Sequence, residues 1–479
     1  MAGRESNLPD MSFMPTPDEM QEWHLFKDAG GPTFAGSPSW KRFMAFLEEN
    51  FLAFGLIDIT RDTFTYNRWF TSDDRNAGSW TLALDGKEVP VASYWAYSGS
   101  TPPAGVTAPL VYYDQDNPPA SIEGKIAVFD IPVLPPDSLP PEMLNPGFEY
   151  ASDPDSVPKD SFITDQFYQV TYYSLFGGLG DVLAQGKAAG GLVIADMAPG
   201  HAAGIYTLPP PPTEFGVPGL FLDRVSGRQV RQAAMEGRMA TLKLMAMREK
   251  AEAYFLSGFL PGENYGKAED ETVLLITHTD GPGLSQENGA LGILSVIRYF
   301  SHIPRNERQR TLLVLLDPQH YMPGRHSIKW FSLHPETASR IVASMGVEHL
   351  GQIEFRAKAD DFLPTGLPEV TKVFVQDNEA LIKRAILAVK DNRLPRAMVH
   401  CPSREGQGMW EGMGDVALKR HLPGFALSSL MSAYLSTEAR INTFNKDLAL
   451  KQIAVAVQLT GELVKANLRE IAVPQDGEQ

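Results

Sequence analysis

The chain has 479 residues, of which 43% are hydrophobic, 10% aromatic and 21% charged, an ordinary globular composition with enough apolar material for two or three domains. Its 58 acidic side chains outnumber 42 basic ones, for a formal net charge of −16. That sign argues against a nucleic-acid backbone or an anionic membrane as the main partner and reads as a solvated acidic surface.

The N-terminal stretch MAGRESNLPDM has no apolar core of the kind a secretory signal needs, and no apolar run approaches the ~20 residues that span a bilayer. A soluble, cytoplasmic protein is the expectation. Residues 37–54, SPSWKRFMAFLEENFLAF, place Trp40, Phe43, Met44, Leu47, Phe51 and Phe54 on one helical face, with Ser37 as N-cap, Pro38 in the first turn and Gly55 as the stop. From 56 to 115 the pattern is strand-like and broken by turns. IEGKIAVFDIP (122–132) is a turn and a strand, and 133–165, rich in Pro, Asp and Ser, is a long loop. Helix, Gly turn and strand follow over 181–196, a short strand ends the Pro-rich run 209–223, and a helix occupies 224–238.

Beyond residue 250 the texture changes. TVLLITHTDG (272–281), RTLLVLLDPQH (310–320) and IVASMGVEHLG (341–351) are apolar strands that break into polar residues. Helices are expected over 288–303, within 372–392 after a strand, and over 445–468, with a further strand at 423–430. Alternating helices and fully apolar strands predict an α/β fold with a mostly parallel sheet covered on both faces. Ligands of such sheets sit at the carboxyl ends of the strands.

Three strand ends carry metal-competent groups: His278 with Asp280, Gln319 with His320, and Glu348 with His349, while Glu287 and Asn288 precede the next helix. A single histidine at a strand end is most often a hydrogen-bonded structural residue. Three such ends in one sheet indicate a shared site, and imidazole with carboxylate suits zinc or another first-row divalent ion. By strand alternation His349 points away from Glu348, toward a supporting role. The loop VHCPSREGQGMWEGMGD (399–415), with His400, Arg404, Glu405, Trp410, Glu411 and Asp415, is either a cap over the pocket or plain surface. Cys401, the only cysteine, excludes an internal disulfide and is read as a passive thiol. His302, His326 and His334 carry no signal.

The chain resembles the zinc aminopeptidase family that also includes glutamate carboxypeptidase, transferrin receptor and glutaminyl cyclase. The likeness lies in FAGSPSWKRFMAFLEENFLAFGL, in IEGKIAVFD, AQGKAAGGLVIAD and FGVPGLFL in order, and in FLPGE followed by VLLITHTDG. It implies a three-layer zinc-peptidase-like domain made of residues 1–105 and 246–479, with a β-rich protease-associated insert over 106–245. It also implies that His278 is a metal ligand oriented by Asp280. Glu287-Asn288 stands where the family has a bridging Asp-Asn, Gln319-His320 where it has a Glu-Glu base and ligand, and Glu348 where it has a ligating Asp. No histidine occurs around Tyr434–Thr437, where the family has its last ligand.

The expectation is therefore one divalent metal, zinc by ligand type, held by His278, Glu287 and Glu348, with His320 as fourth ligand or proton-transfer residue. Gln319 is a neutral amide and cannot take a proton as a carboxylate does, so ordinary peptide hydrolysis is in doubt. Gln319, His320 and Asp280 are the expected catalytic group, and Asn288, His349, Arg404, Trp410 and Tyr434 the expected substrate contacts. The expected function is a metal-dependent enzyme acting on a small molecule or peptide-like substrate. Its reaction is hydrolysis, or elimination, isomerisation or cyclisation by Lewis-acid and proton-transfer chemistry. The alternative is a non-catalytic binding protein on the same fold. No nucleic-acid or membrane partner is expected, and a homo-oligomer is compatible with the sequence.

Overall fold

The apolar runs of the C-terminal half form the middle of a nine-stranded sheet. A computed structural model describes residues 8–131, 148–156, 178–207, 215–323, 329–404, 410, 412–429, 432–433 and 435–473. Its first ten strands are β1 (Ile57–Phe70), β2 (Trp80–Leu84), β3 (Lys87–Val89), β4 (Ser93–Tyr94), β5 (Val106–Tyr112), β6 (Ile126–Ile131), β7 (Tyr150–Ala151), β8 (Gly190–Ala195), β9 (Gly219–Leu222) and β10 (Met239–Leu244). The remaining nine are β11 (Met247–Leu260), β12 (Thr272–His278), β13 (Thr311–Asp317), β14 (Ile341–Val347), β15 (Ile353–Lys358), β16 (Asp361–Pro368), β17 (Thr371–Val375), β18 (Ala397–His400) and β19 (Gly424–Ser429).

The large sheet has the order β1-β11-β13-β12-β14-β19-β17-β18-β7. Its central block, β13-β12-β14-β19, is parallel. Antiparallel pairs flank it: the long β1–β11 ladder, β11 on β13, and β17 on β19. Every residue of β12 and β13 is buried, as their unbroken apolar runs require. Alternate side chains serve two cores. Val273, Leu275, Leu312 and Val314 pack with Phe43 and Phe51 of the helix Pro38–Ala53 and with residues of the helices Gly289–Ser301, Glu379–Asp391 and Lys446–Lys465. Leu274, Ile276, Leu313 and Leu315 face Trp330, Met413 and Val416 on the other side. The result is the expected three-layer α/β arrangement. The first of these helices begins as its sequence indicates: Ser37 Oγ accepts the Trp40 N–H, Pro38 occupies the first turn, and Gly55 follows at φ +87°.

A second sheet of eight strands has the order β3-β2-β10-β5-β6-β8-β9-β4. Its middle, β5-β6-β8-β9, is parallel and covered by the helix Arg224–Met235. By sheet membership this unit runs from Trp80 to Leu244, because β2 pairs with β10 and β4 with β9. The two sheets meet beside the ends of the parallel strands. Tyr206 N–H donates to the Leu435 carbonyl at 2.8 Å, Ile205 bridges Ser436, and Tyr321 and Leu435 join the core of the second sheet.

Several elements, the helix Pro17–Asp28 among them, were not read from the sequence. The β15–β16 hairpin is exposed along most of its length, so no apolar alternation marks it. The short β18 lies in a stretch read only as approaching the 399–415 loop. The loop expected over 133–165 lies outside the described residues apart from 148–156, and no described helix is long and apolar enough to cross a membrane.

One glycine sets the distance between layers. A Cβ on Gly289, the first residue of the helix Gly289–Ser301, would collide with the Val347 carbonyl and the Thr277 hydroxyl, at the carboxyl ends of β14 and β12. Gly289→Ala is therefore expected to push the helix off the strand ends and destabilise the protein by about 1–3 kcal/mol, measured as a lower midpoint in urea unfolding.

Candidate functional site

Because β13, β12 and β14 are parallel neighbours, their last residues and the turns beyond lie side by side. His278 closes β12 and is fully buried. Glu348 and His349 follow the last residue of β14. His278 Nε2 lies 4.0 Å from Glu348 Oε2, and His349 Nε2 lies 3.9 Å from the same oxygen. The three donor atoms fall within 4.8 Å of one another. Two ligands each ~2.1 Å from a zinc ion are separated by at most ~4.2 Å, so small side-chain rotations bring this trio onto one ion.

The opposite end of each donor side chain is anchored. His278 Nδ1 donates to the Asp280 carbonyl at 3.0 Å, which leaves the Nε2 lone pair directed at Glu348. His349 Nδ1 shares a 3.0 Å hydrogen bond with Ser428 Oγ on β19. Glu348 Oε1 accepts the Met413 N–H, which turns Oε2 toward the two rings. Gly412, at φ +70°, is the floor under this carboxylate, where a Cβ would collide with both oxygens. Burial pushes the His349 imidazole down to about 4, so it is neutral, and a competent ligand, at pH 7. Two imidazoles and a carboxylate, each supported from behind, fit a divalent metal.

His349 is thus a member of the cluster, contrary to the opposite-face expectation. Strand alternation ends at Val347, and His349 itself sits at φ +53°, which swings its ring back beside Glu348. Asn288 enforces that turn. Its Oδ1 accepts the Leu350 N–H and its Nδ2 donates to the Leu350 carbonyl, both at 2.8 Å, and Nδ2 also meets His24 Nε2 at 3.1 Å. Asn288, expected to touch substrate, is spent on the backbone two residues beyond Glu348.

Other placements also depart from expectation. His278 Nδ1 meets the Asp280 main-chain carbonyl, while the Asp280 carboxylate is engaged elsewhere. Its oxygens accept the N–H groups of His320 at 2.9 Å and Tyr321 at 2.6 Å, and burial raises its pKa well above the usual carboxylate range. Glu287 lies outside the donor trio: Oε2 is 2.7 Å from the Lys27 ammonium, and Oε1 accepts no hydrogen bond among the described residues. His320 stacks on His278, ring centroids 4.2 Å apart and planes 24° from parallel. Imidazole lone pairs lie in the ring plane, so near-parallel rings do not converge on a common ion. Arg404 pairs with Asp377 at 2.6 Å and Glu379 at 2.8 Å. Trp410 is buried against Phe374. Tyr434, Glu405, Glu411 and His326 lie outside the described residues.

Gln319 lies two residues beyond the end of β13. Its N–H donates to Asp317 Oδ1 at 2.7 Å, while its side-chain Oε1, buried, accepts no hydrogen bond among the described residues. A buried amide oxygen left unmatched costs about 1–3 kcal/mol, which a bound ligand donor would recover. Asp317 is a residue the sequence reading passed over. It pairs with His278 across the β12–β13 ladder, and burial pushes its carboxyl up to about 7. Its strand-end position was a usable signal, obscured because it precedes Gln319-His320. Ser428, next to last in β19, and Lys27 were not singled out, since nothing local links that serine or an N-terminal helix to this cleft.

No family model matches the sequence, and no curated protein matches it significantly. Solved structures do. A peptidase M28 precursor from Shewanella amazonensis SB2B is 15% identical with a TM-score of 0.64, covering 96% of this chain and 100% of that one. BSAP, a zinc aminopeptidase from Bacillus subtilis, is 13% identical with a TM-score of 0.61, covering 96% and 99%. An aminopeptidase from Aneurinibacillus sp. strain AM-1 is 13% identical with a TM-score of 0.56, covering 96% and 95%. At these identities the likeness is one of fold: the chain has the mixed α/β fold of these peptidases over nearly its whole length.

Replacing Asn288 by Ala strips both Leu350 backbone groups of their buried partner. A loss of about 1–3 kcal/mol in chemical denaturation is expected, with faster amide exchange at Leu350 than in the wild type.

Proposed function

We propose that the chain is a metal-dependent enzyme with one divalent ion, zinc by donor type, held by His278, Glu348 and His349. The observation that supports this most is the shared aim of His278 Nε2, His349 Nε2 and Glu348 Oε2, each fixed from behind by Asp280, Ser428 or Met413. When bound, such an ion supplies Lewis-acid polarisation of a substrate carbonyl. The fold shared with zinc aminopeptidases is compatible with an amide or ester substrate, small or peptide-like, and the second sheet is read as the accessory insert of that scaffold.

The chain's own residues shape the chemistry further. Gln319 offers an unmatched amide oxygen to a substrate N–H or O–H and takes no proton. His320, partly exposed and stacked on His278, is the group placed to move one. Without a carboxylate base at 319, simple hydrolysis loses a contribution that typically amounts to ~10²–10⁴ in rate. The reading therefore favours a reaction driven by carbonyl polarisation and a histidine proton transfer, such as elimination, isomerisation or cyclisation, over efficient aminopeptidase turnover. A non-catalytic role draws support from one observation, the burial of all three donors.

Plasma mass spectrometry on untagged protein separates the two classes. Near-stoichiometric metal is expected in the wild type and its loss in His278→Ala; wild type without metal removes the enzyme reading. Gln319→Glu is expected to raise turnover of aminoacyl-nitroanilides by about 10²–10⁴-fold by restoring a carboxylate base. Robust wild-type turnover that survives Gln319→Ala contradicts the assignment of Gln319 as the departure from peptidase chemistry.

A further inference from the structure

Glu287 is fully buried, and an anion in that position is stable only beside a cation. The cation is Lys27, from the last turn of the helix Pro17–Asp28, more than 250 residues away in sequence. Its side chain is 1% exposed and passes the Phe43 ring, with Nζ 5.4 Å from the centroid. Nζ donates to Glu287 Oε2 at 2.7 Å and to the Gly283 carbonyl at 3.4 Å. Thr33 Oγ1 donates to the same Glu287 oxygen at 3.4 Å, and Thr33 also bridges the Gly281 backbone just beyond His278 and Asp280. The second oxygen, Oε1, lies against Gly281, where a Cβ would collide with it.

We propose that Lys27 is a tethered cation that neutralises Glu287 in place of an exchangeable metal ion, so that the strand-end cluster loads one divalent ion per chain and not two. The proposal rests on the metal reading above and gives the physical reason for its single ion. A lysine fixed to the same chain stands at high effective concentration, so an incoming ion must expel an ammonium that is already desolvated and hydrogen-bonded. A glutamate at 287, with its longer arm, reaches Lys27 while its backbone stays at the mouth of the helix Gly289–Ser301. His278, Glu348 and His349 are left to hold their ion without it.

Zinc per chain, counted by native mass spectrometry after exposure to excess zinc and dialysis, is the test. One ion is expected in the wild type, two in Lys27→Met, where Glu287 is left without its cation, and one in the double variant Lys27→Met/Glu287→Gln. Two ions in the wild type overturns the proposal together with the single-ion count, and one in a folded Lys27→Met overturns the proposal while leaving the metal reading intact. No ion in the wild type ends that reading and this proposal with it. Should Lys27→Met fail to fold, the double variant decides. Retention of one ion, with the same zinc-induced rise in Tm as the wild type, supports Glu287 as counter-ion; loss of the ion makes Glu287 a ligand and overturns the proposal.

Discussion

Burial of ionisable groups at the ends of parallel strands is the constraint on which the rest of the structure depends. His278, Asp280, Glu287, Asp317, Glu348 and His349 all lie where water is nearly excluded. Charged side chains survive there only with hydrogen bonds or opposite charge, and their pKa values move toward the neutral form when these are insufficient. The fold supplies the partners in different currencies: main-chain N–H groups for Asp280 and Glu348, an ammonium for Glu287, a carbonyl and a hydroxyl for the two imidazoles. Glu348 Oε2 and the two Nε2 atoms face one another, with their donor atoms within 4.8 Å.

The positioning is carried by turns rather than by the strands themselves. Past Val347 the chain leaves the sheet, places His349 in the left-handed region, and is caught by the Asn288 amide at Leu350. The same amide leans on His24, whose ring stacks on Phe444 at 3.7 Å and which burial holds neutral, down to about 3. The geometry of two donors therefore depends on a helix N-terminus, an N-terminal helix and the segment before the last helix together. Gly412 and Met413 perform the matching service for Glu348 from a fourth element.

The N-terminal helix has a second part in this arrangement. Lys27 extends from it into the region behind the strand ends, and Arg440 ties its C-terminal residue Asp28 to the segment leading into the last helix. A helix that by position in the chain could be peripheral is thus locked to the chemistry by one buried charge pair and one partly exposed one. Removing one member of the buried pair would leave an uncompensated buried charge, whereas screening leaves the partly exposed pair worth little.

The local pattern of residues was sufficient for the layer architecture. Unbroken apolar runs at 272–278 and 311–317 have to be strands covered on both faces, and the amphipathic stripe of 37–54 has to be a helix on that sheet. The three strand ends with His278, Gln319-His320 and Glu348-His349 were legible for the same reason, because polar residues cannot continue a doubly covered strand. The membership of the cluster was decided only in three dimensions. A positive φ at His349, an asparagine held by Leu350, a lysine from residue 27 and a serine from β19 are not local properties, and side-chain alternation assigns His349 to the wrong side once the strand has ended. Nor does spacing distinguish a carboxylate that faces an ion from one that faces an ammonium. Glu287 and Glu348 are the same residue type, and only the partners that tertiary folding brings to each make one a counter-ion and the other a candidate ligand.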